Sequence, residues 1–140
     1  TTLLIPGLND SDAEIDALTR WIGDHLGPSV PLHFTAFHPD YRMRDRPPTP
    51  ASTLTRARAI GLANGLRYVY TGNVHDPVGQ TTWCHACGEQ LIGRDGYTIN
   101  GWNLTEAGDC SNCGEPCAGV FEADPGHWGS RRQPVAIGDS

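Results

Sequence analysis

The sequence predicts an α/β fold followed by a small β module built around four cysteines. Three observations carry this. Strand-like apolar runs at residues 2–5, 31–37 and 66–71 alternate with two helical patterns, and alternation at these lengths argues for parallel strands joined by right-handed crossovers. Two cysteine knuckles follow, Cys84-His85-Ala86-Cys87-Gly88 and Cys110-Ser111-Asn112-Cys113-Gly114. Between them, Asp95-Gly96 separates two short strand-like runs, 91–94 and 97–100, which is a strong two-residue hairpin signal. A hairpin between two knuckles is a zinc-ribbon layout.

The elements are justified in order. Residues 2–5 form an apolar run stopped by Pro6-Gly7. Ser11 with Glu14 three residues later predicts a capping box. Ile15, Leu18, Trp21, Ile22 and Leu26 then recur at helical spacing as one apolar stripe, with Trp21 expected in the core. Gly27-Pro28 ends that helix. After the strand at 31–37, residues 38–50 are a loop rich in proline and charge. Thr49 is placed to cap the next helix with Pro50 at its first position. Leu54, Ala57, Ile60 and Leu62 give that helix its apolar face, and Asn64-Gly65 closes it. A third strand occupies 66–71. Three strands and two helices leave an apolar sheet face uncovered, predicting poor solubility for the isolated chain. Residues 72–82 read as a linker, Val120-Phe121 as packing beneath the cysteine site, and 123–140 as a disordered tail. The domain reading is therefore 1–75, 76–122 and 123–140.

The knuckles carry the clearest chemistry. Two residues between cysteines let both sulfurs of a tight turn face one ion, and the following glycine permits the positive φ such a turn needs. Four thiolates suit tetrahedral zinc, or iron held the same way, with Cys84, Cys87, Cys110 and Cys113 as ligands. They fill the coordination shell, so the expected role is structural. Two disulfides are the competing reading. It is the weaker one, because five cysteines is an odd number and nothing looks secretory.

Composition narrows the rest. Sixteen acidic against ten basic residues give a formal net charge of −6 and a pI of about 5.3, which weighs against a nucleic-acid partner. No apolar run is long enough for a membrane span. The chain opens inside an apolar run without Met or a charged leader, which predicts a piece of a longer protein and no secretory signal. Reduced, metal-held cysteines fit the cytoplasm. His33 reads as structural or lining, and His85 as solvent-facing or adjacent to the metal ligands. Asp40, Tyr41, Arg42 and Arg44 read as a solvated loop. Trp83 and Trp102 are expected to cover the small module. Asp10 and Asp12 are first-turn helix charges, and Arg131-Arg132 is too short for a nucleic-acid patch. No nucleophile triad or phosphate loop is present.

Several strings, in order, resemble the C-terminal part of the radical S-adenosylmethionine enzymes of the AmmeMemoRadiSam system, relatives of the pyruvate formate-lyase activating enzymes. They are Leu4-Ile5-Pro6-Gly7-Leu8-Asn9-Asp10-Ser11, then His33-Phe34 and Phe37-His38-Pro39-Asp40-Tyr41, then Pro47-Pro48-Thr49-Pro50, then Gly65-Leu66-Arg67-Tyr68-Val69-Tyr70-Thr71-Gly72-Asn73-Val74, and the knuckles with Arg94-Asp95-Gly96-Tyr97 between them. The resemblance spans residues 2–121. It implies the C-terminal half of a partial (β/α) barrel followed by a rubredoxin-like zinc ribbon. It implies that Ile5, Pro6 and Gly7 lie near the adenine end of S-adenosylmethionine and that His38 lies near its nucleoside.

The family's Cys-x3-Cys-x2-Cys cluster motif is absent from these residues. The resemblance therefore implies a [4Fe–4S] cluster held upstream in the full-length protein, which would start radical chemistry on an unidentified substrate, a protein among the candidates. Cys117 stands where the family pattern has an apolar residue, as a spare thiol or a competing fifth ligand. The alternative reading is a stand-alone zinc-ribbon module that binds protein.

Overall fold

A computed structural model describes residues 1–126 and Ser130. The expected tail falls outside the described residues for 127–129 and 131–140, as does Arg131-Arg132. Residues 123–126 carry neither helix nor strand.

The order is β1 (Thr2–Leu4), α1 (Asp12–Leu26), β2 (Leu32–Ala36), α2 (Ala51–Ala63), β3 (Val69–Gly72), α3 (Pro77–Gln80), β4 (Thr82–Trp83), β5 (Gln90–Asp95) and β6 (Thr98–Trp102). β1, β2 and β3 form a parallel sheet in that order, with Leu4 opposite Ala36 and His33 opposite Tyr70. β4, β5 and β6 form a separate antiparallel sheet. The coarse expectation, mixed α/β with a four-cysteine β module, is what the chain shows.

The first core lies between the parallel sheet and its two helices. Leu4, Leu32, Phe34 and Val69 face Ile15, Ile22 and Ala57, alternate strand residues meeting one stripe of each helix. Trp21 is not in this core. It is 51% exposed and stacks on His25, 4.8 Å between ring centroids. At 100° per residue it points well away from the face set by Ile15 and Ile22, where Thr19 is fully buried instead. Leu26, at the helix end, is also exposed. In α2 the buried positions are Thr53, Leu54, Ala57 and Gly61, and Leu62 lies outside them.

The capping box forms only in half. The Glu14 N–H donates to Ser11 Oγ, but the Ser11 hydroxyl in turn donates to the Glu14 carboxylate at 2.6 Å. Thr49 does not cap α2; Pro50 holds that position without a side-chain bond. The buried Thr49 hydroxyl instead donates to the Leu4 carbonyl at 2.6 Å and accepts from the Phe37 N–H at 3.0 Å. It ties together the C-terminal ends of β1 and β2.

The sheet face opposite the helices is not the broad apolar surface expected. It presents Leu3, His33, Thr35 and Tyr70, and the cysteine module covers its β3 side. Tyr68 and Tyr70 pack into a second core with Cys84, Leu91, Ile92, Leu104, Cys110 and Cys117. Nor is 72–82 a linker. Asp76 caps α3 through the Gly79 N–H and accepts from the Thr71 hydroxyl, while Thr81 and Thr82 are buried. Arg94 extends the joint, donating to the Gln80 carbonyl and to Thr82 Oγ1 at 2.7 Å, and Tyr70 OH bonds the same Thr82 hydroxyl.

The hairpin turn sits one residue later than expected. Asp95 still pairs with Thr98, so Gly96-Tyr97 is the two-residue loop. Gly96 supplies φ +57° at its first position, which these tight hairpins require of a glycine. The register shifts once more between Gly93 and Arg94, where Asn100 has no partner on β5.

Candidate metal centre

The two knuckles are built alike. In the first, the Gly88 N–H donates to the Cys84 carbonyl at 2.9 Å and the Cys84 N–H to the Glu89 carbonyl at 2.8 Å. In the second, Gly114 donates to Cys110 at 2.8 Å and Cys110 to Glu115 at 2.9 Å. Gly88 and Gly114 hold φ of +76° and +77°, which an L side chain would resist. Each knuckle therefore turns both its cysteines toward the same point.

The four sulfurs of Cys84, Cys87, Cys110 and Cys113 lie within 4.8 Å of one another. Cys84 and Cys113 are 3.6 Å apart, and Cys87 and Cys110 are 3.7 Å apart. A tetrahedron with metal–sulfur bonds of about 2.3 Å has sulfur–sulfur edges of about 3.8 Å. Those two edges match one tetrahedral ion, and the other sulfur pairs lie within 4.8 Å. The spacing is far too long for a disulfide, about 2.05 Å, and all five cysteines are free. An iron–sulfur cluster interposes its own iron and sulfide between cysteines and would hold them further apart. The four cysteines thus form a metal-binding group suited to an ion such as zinc.

The electrostatics agree. The Glu89 N–H and then the Asn112 side chain favour the Cys87 thiolate, bringing its pKa down to about 6. At Cys113 the Glu115 N–H also favours the thiolate, but the Cys87 sulfur, burial and the other two sulfurs outweigh it and push the thiol up to about 12. Thiolates crowded this closely resist further ionisation, and a divalent cation removes that resistance.

Around the sulfurs, His85 Nε2 meets Glu115 Oε1 at 3.0 Å and bridges the knuckles. Its ring sits edge-on to Tyr68 at 6.5 Å. Cys117 is buried beneath the site in the second core and is not one of the four clustered sulfurs, so it is no competing fifth ligand. Burial raises its pKa, which keeps it a neutral, apolar filler. The Tyr68 hydroxyl accepts the Ala118 N–H at 3.0 Å, and burial first of all raises that phenol to about 12. Phe121 packs beneath the site against Trp102, 6.3 Å between centroids, whereas Val120 is fully exposed. Trp83 is half-buried and anchored through Nε1 to the Val78 carbonyl.

The other candidate residues lie elsewhere. Ile5, Pro6 and Gly7 follow the C-terminal end of β1, and His38 follows that of β2. The first segment is fixed by Asn9 Oδ1 accepting the Ile5 N–H, Asp10 accepting the Gly7 N–H, and Arg46 donating to the Pro6 carbonyl. His38 is exposed. Sequence reading missed the struts, Thr49 and Arg46, because the carbonyls they donate to, of Leu4 and Pro6, lie 45 and 40 positions away.

One relative was found among curated proteins. The chain is 42% identical over 116 residues to uncharacterized protein MJ0808 of Methanocaldococcus jannaschii. The match takes in 82% of this chain and 35% of that protein, so the chain spans about a third of its relative's length. No family model and no solved structure matches the chain. Among the described residues, no helix is long and apolar enough to cross a membrane.

Proposed function

We propose that this chain is the C-terminal portion of a radical S-adenosylmethionine enzyme of the AmmeMemoRadiSam type, with a structural zinc ribbon attached. One observation supports the reading above all. β1 and β2 run parallel and adjacent, and the Ile5-Pro6-Gly7 segment and His38 both follow their C-terminal ends. That is the end at which (β/α) barrels gather their sites. The Thr49 and Arg46 struts hold that end in shape, as a binding rim requires. Ile5, Pro6 and Gly7 would lie at the adenine end, with Gly7 holding the turn at φ +72°, and His38 would bond or stack on the nucleoside. When bound, an upstream [4Fe–4S] cluster would supply the electron that cleaves the cofactor. In this reading the four-cysteine site holds zinc and is structural, because four thiolates leave no open position.

The test uses the gene product as encoded, reconstituted anaerobically with iron and sulfide. Expected are one zinc per chain, a cluster with a low-temperature electron paramagnetic resonance signal on reduction, and 5′-deoxyadenosine released from S-adenosylmethionine. His38→Ala should weaken cofactor binding while leaving zinc and iron content unchanged. Zinc without any iron–sulfur cluster would sink the reading and leave the zinc-ribbon protein-binding module ahead. The packing of the ribbon against Tyr68 and Tyr70 weighs against that alternative, since it occupies a face such a module would offer to partners.

A further inference from the structure

The ribbon's hairpin and the open face of the parallel sheet enclose a cleft of about 710 Å³. His33 and Tyr70 line it from the sheet, Gln80 and Asn73 from the joint, and Arg94 and Tyr97 from the hairpin. The volume lies in the range of small-molecule sites. The chain as a whole carries −6, yet none of the residues that line this cleft is acidic. Its one fixed charge is the Arg94 guanidinium. NH1 of that group is engaged by the Gln80 carbonyl and Thr82 Oγ1. Among the described residues its Nε and NH2 have no hydrogen-bond partner, and neither is a buried unsatisfied atom. The fork is therefore anchored at one corner, with its other donors left for a planar acceptor.

The remaining walls are flat. His33 and Tyr70 lie 4.8 Å apart at 32°, and Arg94 sits over the same Tyr70 ring at 5.8 Å. Partial burial first of all, with the Arg94 charge beside it, keeps the His33 imidazole below its usual pKa. At neutral pH it offers a ring face rather than a second charge. Tyr97 lines the cleft from the hairpin tip, where it is 78% exposed.

We propose that this cleft binds a small flat anion, an aromatic or conjugated ring bearing a carboxylate. The carboxylate sits on Nε and NH2 of Arg94, and the ring lies among His33, Tyr70 and Tyr97. The inference is independent of the radical-enzyme reading. It also gives the cysteine module a second role, since the metal-held ribbon carries one wall.

Calorimetric titration of the complete metal-loaded protein tests it, with 4-hydroxybenzoate as probe and 4-hydroxybenzamide and acetate as controls at constant ionic strength. The ring carboxylate is expected to bind saturably, about tenfold or more tighter than either control, because only it uses both the fork and the ring surfaces. Arg94→Gln should remove the preference for acid over amide. That variant also loses a tie to Thr82, so Tyr97→Ala, at an exposed tip, serves as the fold-neutral variant and should weaken the probe several-fold. Chelating the metal should abolish binding. The proposal is overturned by no saturable binding, by equal binding of acid and amide, by acetate binding as tightly as the probe, or by a Tyr97→Ala protein that binds like the native one.

Discussion

The two halves of this molecule are held together by different physics. In the parallel half, eight apolar residues bury one another between a sheet and two helices. In the ribbon half, three of the seven buried members of the core are cysteines, and two of those belong to the metal group. The first core stabilises by area removed from water. The second is smaller, and its four clustered sulfurs are placed so that one ion could fix its knuckles. What joins them is narrow: Tyr68 and Tyr70 from the sheet, and Thr82 and Arg94 from the ribbon.

The largest effect expected is from breaking the metal group. Cys110→Ser, at a position 1% exposed, removes one of four ligands. Structural zinc contributes on the order of 10–16 kcal/mol of apparent binding energy in small zinc domains, so residues 83–121 should lose their fold. Helical circular dichroism, which comes from α1 and α2, should persist. Zinc content and backbone amide dispersion check this. Loss of the helical signal together with the ribbon would show that the two halves share one cooperative unit.

The converse probe is Phe34→Ala, at a residue with no exposure on the helix side of β2. It opens a cavity and should cost about 3–5 kcal/mol. Denaturation followed by helical signal should shift to lower denaturant, while zinc affinity changes little. A parallel loss of zinc affinity would argue that the ribbon borrows its order from the sheet.

Smaller changes act on the seams. Thr49→Val keeps the shape and removes a hydroxyl that serves both the Leu4 carbonyl and the Phe37 N–H. Leaving those groups unpaired should cost about 1–3 kcal/mol, with Thr49→Ser recovering most of it. Tyr68→Phe strands the Ala118 N–H and should cost about 1–2 kcal/mol. Its diagnostic consequence is a wider separation between the unfolding of helices and the release of zinc. Coincident transitions in native and variant alike would show that this bond does not couple the halves.

The same contrast explains what the sequence disclosed. Residue spacing fixes periodic and local features directly, so βαβαβ order, the Ser11 cap and both knuckles are legible. Trp21 fails because it lies at one edge of the apolar stripe, while the buried face runs from Ile22 and Ile15 to Thr19 on the other side, its hydroxyl bonded to the Ile15 carbonyl. Thr49 fails because a residue before proline reads as a helix cap, while its true partners lie 12 and 45 positions away. Residues 72–82 look like a linker because they are polar and Thr82 finds its partners, Tyr70 and Arg94, only across the joint. The cleft at Arg94 is invisible for the same reason: its walls come from both halves.

The smallest effect expected is a pH dependence at the open face where the halves meet. Partial burial chiefly, with Arg94, lowers the pKa of His33 from its unfolded value of 6.5. The unfolded chain therefore takes up this proton more readily than the folded one. By linkage, His33 contributes stability that is fully present above pH 6.5 and lost as pH falls through the folded pKa. The denaturation midpoint of the helical signal should drop slightly between pH 7.5 and pH 5.5, and the drop should shrink in His33→Asn. Because acid also releases zinc from thiolates, zinc must be followed in the same samples, and only the range in which it stays bound is informative. An identical drop in the variant would assign the acid sensitivity to the metal site and leave the sheet half indifferent to pH.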